Sequence, residues 1–420
     1  MRHRFAERAA RRSVAALVAL LFAMMLSIQA GAVTITYWDW HEPRLTLTRE
    51  FAERYMQENP QVQIDLSVQS GDYLDKLQVA IAAGAPPTIS QVHNEWAGRL
   101  VDAWEPYPRA LFPRDQLRQD YILFDMTSTV NNEVYFLPLG IMNGAIYYNK
   151  NILSASGIDE PPLDWGSFID VAARLTRMQG DGTYSQGGLG VLGDFMWLWT
   201  DLVYQNGGTL FTDSGVTFAS DPYQQGAETL VSIANRDVDV PGVSFNGGNQ
   251  AMRYVWTWFE ATARQLDFDY GVSLLPTPTG DSFPARGRNN VELGVSVPRN
   301  ISDDEKDEAF RFIHWLFNND EYVVRLNVLL GTIPSRAEFW SREEIVSSPA
   351  MQVLSQQAPY TVFPGPVESW YWDLLSETTE RLKQGEAISG ILEDAQRRGD
   401  AQFAETPFAS AEHLYVPPAQ

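Results

Sequence analysis

The stretch TITYWDWHEPRLTLTREFAERYMQENPQVQIDLSV, residues 34–68, decides the fold class. Thr34-Ile35-Thr36-Tyr37-Trp38 alternates and is β-branched, which reads as a strand. From Leu45 to Asn59 the residues Leu47, Phe51 and Tyr55 recur at helical spacing, and Asn59-Pro60 ends the run. Val62 to Val68 alternates strictly and is a second strand. A helix from Tyr73 to Ala83, stopped by Gly84, and a short strand from Thr88 to Val92 follow. Strand, helix, strand, helix, strand is the order of an α/β domain with a largely parallel sheet.

Working outward, a second run of the same kind begins near Ala145. Ile146-Tyr147-Tyr148 reads as a strand, and Trp165 to Met178 as an amphipathic helix. Trp197 to Tyr204 is a further helix closed by Gly207-Gly208, and Asp221-Pro222 opens one through Ala234. Gly271 to Leu275 reads as a strand, and Ser302-Asp303-Asp304-Glu305 as a capping box for a helix reaching Phe317. The acids in that box suit the helix dipole better than a metal. Two α/β lobes without an obvious linker imply that the chain crosses between them more than once.

Composition narrows the function. A chain of 420 residues exceeds one compact core and, at ~150 residues per domain, makes two or three. The formal charge of −22 repels nucleic acid and anionic membranes, so neither is expected as a partner. Absence of cysteine excludes disulfide scaffolds, thiol catalysis and thiolate metal sites. Residues 1–32 have the parts of a secretory signal peptide: five arginines by Arg12, an apolar run Val14–Leu26, and Ala30-Gly31-Ala32. Cleavage near Ala32 and export to a periplasm are the expectation, with no cysteine to carry a lipid anchor.

No HExxH or GxSxG motif is present, and Gly188-Leu189-Gly190-Val191-Leu192-Gly193 matches GxGxxG only loosely. Thr183-Tyr184-Ser185-Gln186 precedes it where a buried apolar strand is needed, so a Gly-rich loop is expected there, with no cofactor and no metal. Carboxylates abound, so a secreted glycoside hydrolase stays open as an enzyme alternative. The informative surplus is aromatic, with 13 Trp and 17 Tyr gathered where strands should end. Trp38-Asp39-Trp40-His41-Glu42, Asn94-Glu95-Trp96, Trp197-Leu198-Trp199, Trp256-Thr257-Trp258 and Trp370-Tyr371-Trp372 are the clusters. Sugars offer apolar C–H faces and a rim of hydroxyls, which suits flat rings beside acids and amides. Trp197 and Trp199 lie two apart on one helix, so both cannot face one cleft.

The motifs ITYWDW, FAERYMQENPQVQIDLSVQSGDYLDKLQVAIAAGAPPTI, FLPLGIMNGAIYYNKNIL, FNGGNQAM, YGVSLLPTPTG and GTIPSRAEF follow in order along the chain. Through them the sequence resembles the extracellular solute-binding proteins, family 1, of bacterial ABC importers. The resemblance implies a two-lobe periplasmic-binding-protein α/β fold of type II, with an N-terminal lobe of 33–140 and 276–331 and a C-terminal lobe of 141–275 and 332–420. Crossings are implied near Pro138–Asn143, Gly271–Pro276 and Gly331–Ser335. It further implies a monomeric receptor that closes on a carbohydrate and delivers it to membrane permease subunits, without enzymatic chemistry.

Site residues follow from the aligned motifs. Asp39, Trp40 and Glu42 form the first contact turn. Glu95 and Trp96 stand where the maltodextrin-binding members have an acid and a base, so Trp96 is a departure. Asn143 stands beside Met142, which replaces an acid. Trp197 and Trp258 fall at stacking positions, with Trp256 where a glycine is usual, and Trp370, Tyr371 and Trp372 cover the last one, within a residue, with Trp370 and Tyr371 the expected contacts. Asn290 and Glu292 lie on a loop returning toward the site. Arg286 and Arg288 on that loop read as solvated, or alternatively as partners for an anionic polyol or glycoside.

Overall fold

The computed structural model describes residues 33–130, 132–191, 195–236, 239–282, 284–290, 294–408, 411–416 and 418. The expected signal peptide and Glu292 lie outside them. The described residues divide into two compact units, 33–91 with 297–318, and 92–296 with 319–418.

The first unit forms as its alternation requires. Strand β1 (Val33–Asp39) runs parallel to β2 (Val62–Val68), with Tyr37 opposite Leu66. On its other side Tyr37 pairs with Ile89 of β3 (Ile89–Val92). Alternate residues Ile35, Tyr37 and Asp39 are buried. Helix α1 (Glu42–Glu58) lays Leu45, Leu47, Phe51 and Tyr55 inward and begins three residues before Leu45, where the sequence showed no apolar periodicity. Its first turn is Glu42-Pro43-Arg44, which suits a helix start because proline needs no donor there and the acid meets the positive dipole end. Helix α2 (Tyr73–Ala82) ends one residue short of the expectation. The helix Asp303–Phe317 opens on the expected capping box, with Ser302 and Glu305 bonded reciprocally.

In the second unit, α3 (Asn94–Arg99) precedes β4 (Gly140–Asn149), α4 (Trp165–Leu175), β5 (Tyr184–Gly190), α5 (Phe195–Gln205) and α6 (Asp221–Asn235). After them come β6 (Gln250–Trp256), β7 (Tyr270–Ser273), β8 (Gly287–Asn290), β9 (Ile333–Pro334) and β10 (Thr361–Val362). Helices α7 (Ser369–Lys383) and α8 (Ile388–Glu405) complete it.

Strand β4 is the hub. All its residues are buried, and four strands pair with it antiparallel. Tyr254 of β6 faces Ile146, Gly271 of β7 faces Tyr148, Asn289 of β8 faces Asn143, and Ile333 of β9 faces Ile141. The sequence showed only Ile146–Tyr148 of it, because a strand covered on both faces does not alternate and its glycines hide the pattern. Each segment expected as a crossing overlaps β4 or one of its partners, and Ser335 donates its backbone N–H to Leu139 at 3.4 Å. The expected lobe boundary at residue 140 therefore falls at the first residue of the hub strand.

The expected Gly-rich loop is instead strand β5, parallel to β6 with Leu189 opposite Met252; Leu192 and Gly193 lie outside the described residues. Its glycines serve packing. A Cβ on Gly188 would lie 1.9 Å from the Ala172 carbonyl oxygen of α4. On α5, Leu198, Trp199, Leu202 and Val203 enter the core while Trp197 is only partly buried at its margin, as the two-residue offset demands.

Gly188→Ala should cost about 1–3 kcal/mol in urea unfolding by forcing β5 off α4. Gly390→Ala on α8, where a Cβ meets nothing within 4 Å, should instead gain about 0.5–1 kcal/mol.

Candidate functional site

Five elements of the second unit converge on one side chain, Arg288. Helix α5 presents Trp197 and, one turn on, Asp201. Strand β6 presents Tyr254 and Trp256, two apart and hence on one face. Strand β8 carries Arg288, α7 carries Trp372 and α3 carries Glu95. The Arg288 guanidinium carbon lies 4.6 Å from the Trp197 ring, 5.3 Å from Trp256 and 4.6 Å from Trp372. Indole faces are negative, so three of them surround the cation favourably. The rings pack on one another as well, Trp197 to Trp372 at 5.2 Å and 59° and Trp197 to Trp256 at 6.3 Å and 70°.

Arg288 donates from Nη2 to Glu95 Oε1 at 2.5 Å, and its buried Nε has no hydrogen-bond partner among the described residues. The arginine side chain is 2% exposed and the carboxylate 14%. Burial raises the Glu95 pKa, and the Arg288 charge opposes that shift. The Trp372 N–H lies near the same carboxylate, outside good hydrogen-bond geometry, and also helps to keep it ionised.

Beneath the guanidinium sits Asp201, fully buried. Its Oδ1 accepts from the Arg288 backbone N–H at 2.6 Å and its Oδ2 from the Tyr254 hydroxyl at 2.7 Å. The Tyr254 oxygen in turn accepts from Trp256 Nε1 at 3.2 Å. Burial pushes the Asp201 carboxyl up to about 7, against these donors and the Arg288 charge. Two glycines make the room. A Cβ on Gly287 would lie 2.5 Å from Asp201 Oδ1, and one on Gly144 would lie 2.9 Å from Oδ2.

Of the expected residues, Glu95, Trp197 and Trp256 meet in this cluster. Asn143 lies buried on β4, its Oδ1 accepting from Gln357 Nε2 at 3.2 Å while its Nδ2 has no hydrogen-bond partner among the described residues. Trp96 packs on His93 at 4.2 Å, Asn290 is half-buried opposite Met142, and Trp258 is 48% exposed with its edge on Phe259. In the first unit, Arg44 takes both oxygens of buried Asp39, at 2.7 and 2.6 Å, so this acid fixes its own turn. Trp40 lies 5.0 Å from Tyr73 with the Arg44 guanidinium 4.5 Å above its ring, and exposed Glu42 accepts from Thr46 at 3.3 Å.

Three expectations are corrected. Tyr371 is fully buried in the core, its hydroxyl bonded to that of Tyr223 and its ring stacked 5.6 Å from Phe218. One residue of helical rotation, about 100°, brings Trp372 to the cluster in its place. Trp370 packs on Phe408 at 5.7 Å, away from that face. Arg286 and Arg288 are not solvated, at 3% and 2% exposure. Arg286 braces its own loop, donating to the carbonyls of Leu275 at 2.5 Å and Gly280 at 3.2 Å and to Ser282 Oγ at 2.8 Å. Desolvation lowers its pKa.

The sequence reading missed Asp201 and Tyr254, and gave Arg288 the wrong role. Spacing alone pointed at the first two, four residues after Trp197 and two before Trp256. Among the described residues no group of three or more His, Asp or Glu is placed to hold a metal, and no helix is long and apolar enough to cross a membrane.

A family model described as bacterial extracellular solute-binding protein matches residues 38–323. The maltotriose-binding protein of Pyrococcus abyssi (strain GE5 / Orsay) is 23% identical over 363 residues, 82% of this chain and 76% of that protein. Among solved structures, the sugar-binding protein MalE of Xanthomonas citri superposes with a TM-score of 0.75 at 19% identity, covering 89% of this chain and 98% of that one. UgpB of Mycobacterium tuberculosis, in complex with glycerophosphocholine, gives 0.75 at 19% identity, covering 90% and 100%. These likenesses show the α/β fold of the periplasmic binding proteins that was expected.

Arg44→Ala strands the buried Asp39 carboxylate and should cost about 3–5 kcal/mol in urea unfolding. The double variant Asp39→Asn with Arg44→Met, which leaves no buried charge, should recover most of that loss.

Proposed function

The chain belongs to the bacterial extracellular solute-binding proteins, and on that premise we propose that it is the receptor of an ABC importer whose ligand is a neutral carbohydrate. The observation that carries the sugar is the convergence of Trp197, Trp256 and Trp372 around the Arg288–Glu95 pair. Trp197 and Trp372, the two partly exposed rings, supply rigid apolar surfaces for sugar C–H faces, with buried Trp256 behind them. Glu95 is the reachable member of the ion pair and accepts from ligand hydroxyls. Capture and release of a sugar need no covalent step. The names of the maltotriose-binding and sugar-binding relatives favour the same ligand class. Export to the periplasm with cleavage near Ala32, a monomeric state and delivery to permease subunits belong to this reading.

An anionic polyol or glycoside is the weaker reading. It rested on Arg286 and Arg288, and both guanidiniums are sealed and engaged. An incoming phosphate or carboxylate would meet the Glu95 carboxylate first, and like charges repel. A glycoside hydrolase differs by outcome alone, since it would create new reducing ends.

Calorimetry of the purified chain with neutral mono-, di- and trisaccharides should give saturable heat for at least one, with the sugar recovered intact after overnight incubation. Trp372→Ala should weaken that binding about tenfold or more, whereas Tyr371→Phe should leave it unchanged. Heat from no saccharide, or from charged ones only, sinks the reading; new reducing ends would make the protein an enzyme.

A further inference from the structure

We propose that Asp201 is the positioning residue of this site, a single carboxylate that locks α5, β6 and β8 in the register that seats Arg288 among the indoles. The proposal rests on the reading that this cluster receives the ligand. Every contact of Asp201 leads to an element that carries a member of the cluster. Its own helix carries Trp197 one turn earlier. Its Oδ1 holds the backbone N–H of Arg288 itself, so β8 cannot slide without breaking a buried bond. Its Oδ2 holds Tyr254, whose oxygen takes the Trp256 N–H and so fixes the tilt of that ring.

Packing alone does not account for the residue. An acid at this depth pays a desolvation penalty that an apolar side chain of similar size avoids. Gly144 and Gly287 are kept free of side chains against its two oxygens. Space in the core has been given up to bring a carboxylate to this point.

The chemistry isolates the role. A carboxylate accepts on both oxygens, whereas an amide of the same shape accepts on one and donates on the other. Asp201→Asn therefore either sets an N–H against the Arg288 N–H or, turned the other way, leaves the Tyr254 O–H without its acceptor, while leaving the packing almost unchanged. The charged and titratable groups facing this carboxyl are Arg288 from β8 and Tyr254 from β6, with Glu95 acting through Arg288. Along α5, Tyr204 is bonded to Glu412 at 2.9 Å, and α6 contributes Tyr223 against Trp199. With its carboxyl pushed up to about 7, Asp201 is ionised above that pH and protonated below it, where one acceptor is lost.

The test uses the full chain and the variants Asp201→Asn and Tyr254→Phe. Near-UV circular dichroism reads the packing of the indoles without ligand, and calorimetry reads affinity for whichever saccharide binds. In the wild type, the indole bands and the affinity should fall together as pH drops through about 7, and Asp201→Asn should be flat across that range at about tenfold weaker binding. Tyr254→Phe, which keeps the carboxylate, should give a smaller loss and keep the pH dependence. A variant Asp201→Asn with wild-type indole bands and affinity, or with the same pH midpoint, overturns the proposal. Should Asp201→Asn fail to fold, wild-type indole bands and affinity in Tyr254→Phe would overturn it equally. If no saccharide binds, the proposed function falls, and the ligand-free spectra still decide the role of Asp201.

Discussion

A guanidinium sealed from water must be compensated by the protein, and the arrangement of the second unit's cluster follows from how Arg288 is compensated. Its charge is met by Glu95, its plane by three indoles, and its backbone by Asp201. None of the three suffices alone. An ion pair in low dielectric recovers little beyond its desolvation cost, cation–π contacts supply about 0.5–2 kcal/mol each, and a buried backbone N–H must be bonded. The compensation therefore has to arrive from five elements at once, and the sheet has to deliver them there.

Strand β4 does that delivery. Because it is covered on both faces and paired along nearly its whole length, β6, β7, β8 and β9 are all placed relative to one ruler. The pairing of Asn289 with Asn143 and of Trp256 with Gly144 puts Arg288 and Trp256 within a few residues of one another on the sheet, although 32 positions separate them in sequence. Gly144 then has a double duty, as the hub's partner for Trp256 and as the gap that admits Asp201.

The fold class was legible in residues 34–68 because one face of each element there is solvated, and solvation writes a period into the sequence. The second unit was less legible for the converse reason. The hub strand has no polar face, and β5 looks like a phosphate loop because α4 presses so close that only glycine fits. At the site, the indoles were visible as clusters, but their roles were not. Tyr371 and Trp372 differ by one helical step, which an ordered motif places only to within a residue. Arg286 and Arg288 carry the same side chain two residues apart and serve different ends, one bracing carbonyls and the other filling an aromatic cage. Charge on a loop reads as solvent-facing until the partners are known, and those partners are remote in sequence, Glu95 by 193 positions. Asp201 was hidden for a related reason, since its spacing from Trp197 marks a shared helix face but not the remote partners that bury that face.

The same device appears within the first unit, and that recurrence says what it is for. Asp39 neutralises Arg44, and Arg44 lies over the Trp40 ring, while Glu95 neutralises Arg288, and Arg288 lies over Trp197 and Trp372. In both, an acid fixes an arginine and the arginine fixes an indole. Hydrophobic contact alone leaves a half-buried tryptophan free to change rotamer, and ordering it on binding costs roughly 0.5–1.5 kcal/mol per side chain. An arginine locked by a carboxylate on one side removes that freedom beforehand. The buried charges are thus poor investments in stability, which hydrophobic replacements would serve as well. Their effect is rigidity at the rings, which is what the proposed stacking of a weakly interacting sugar face calls for.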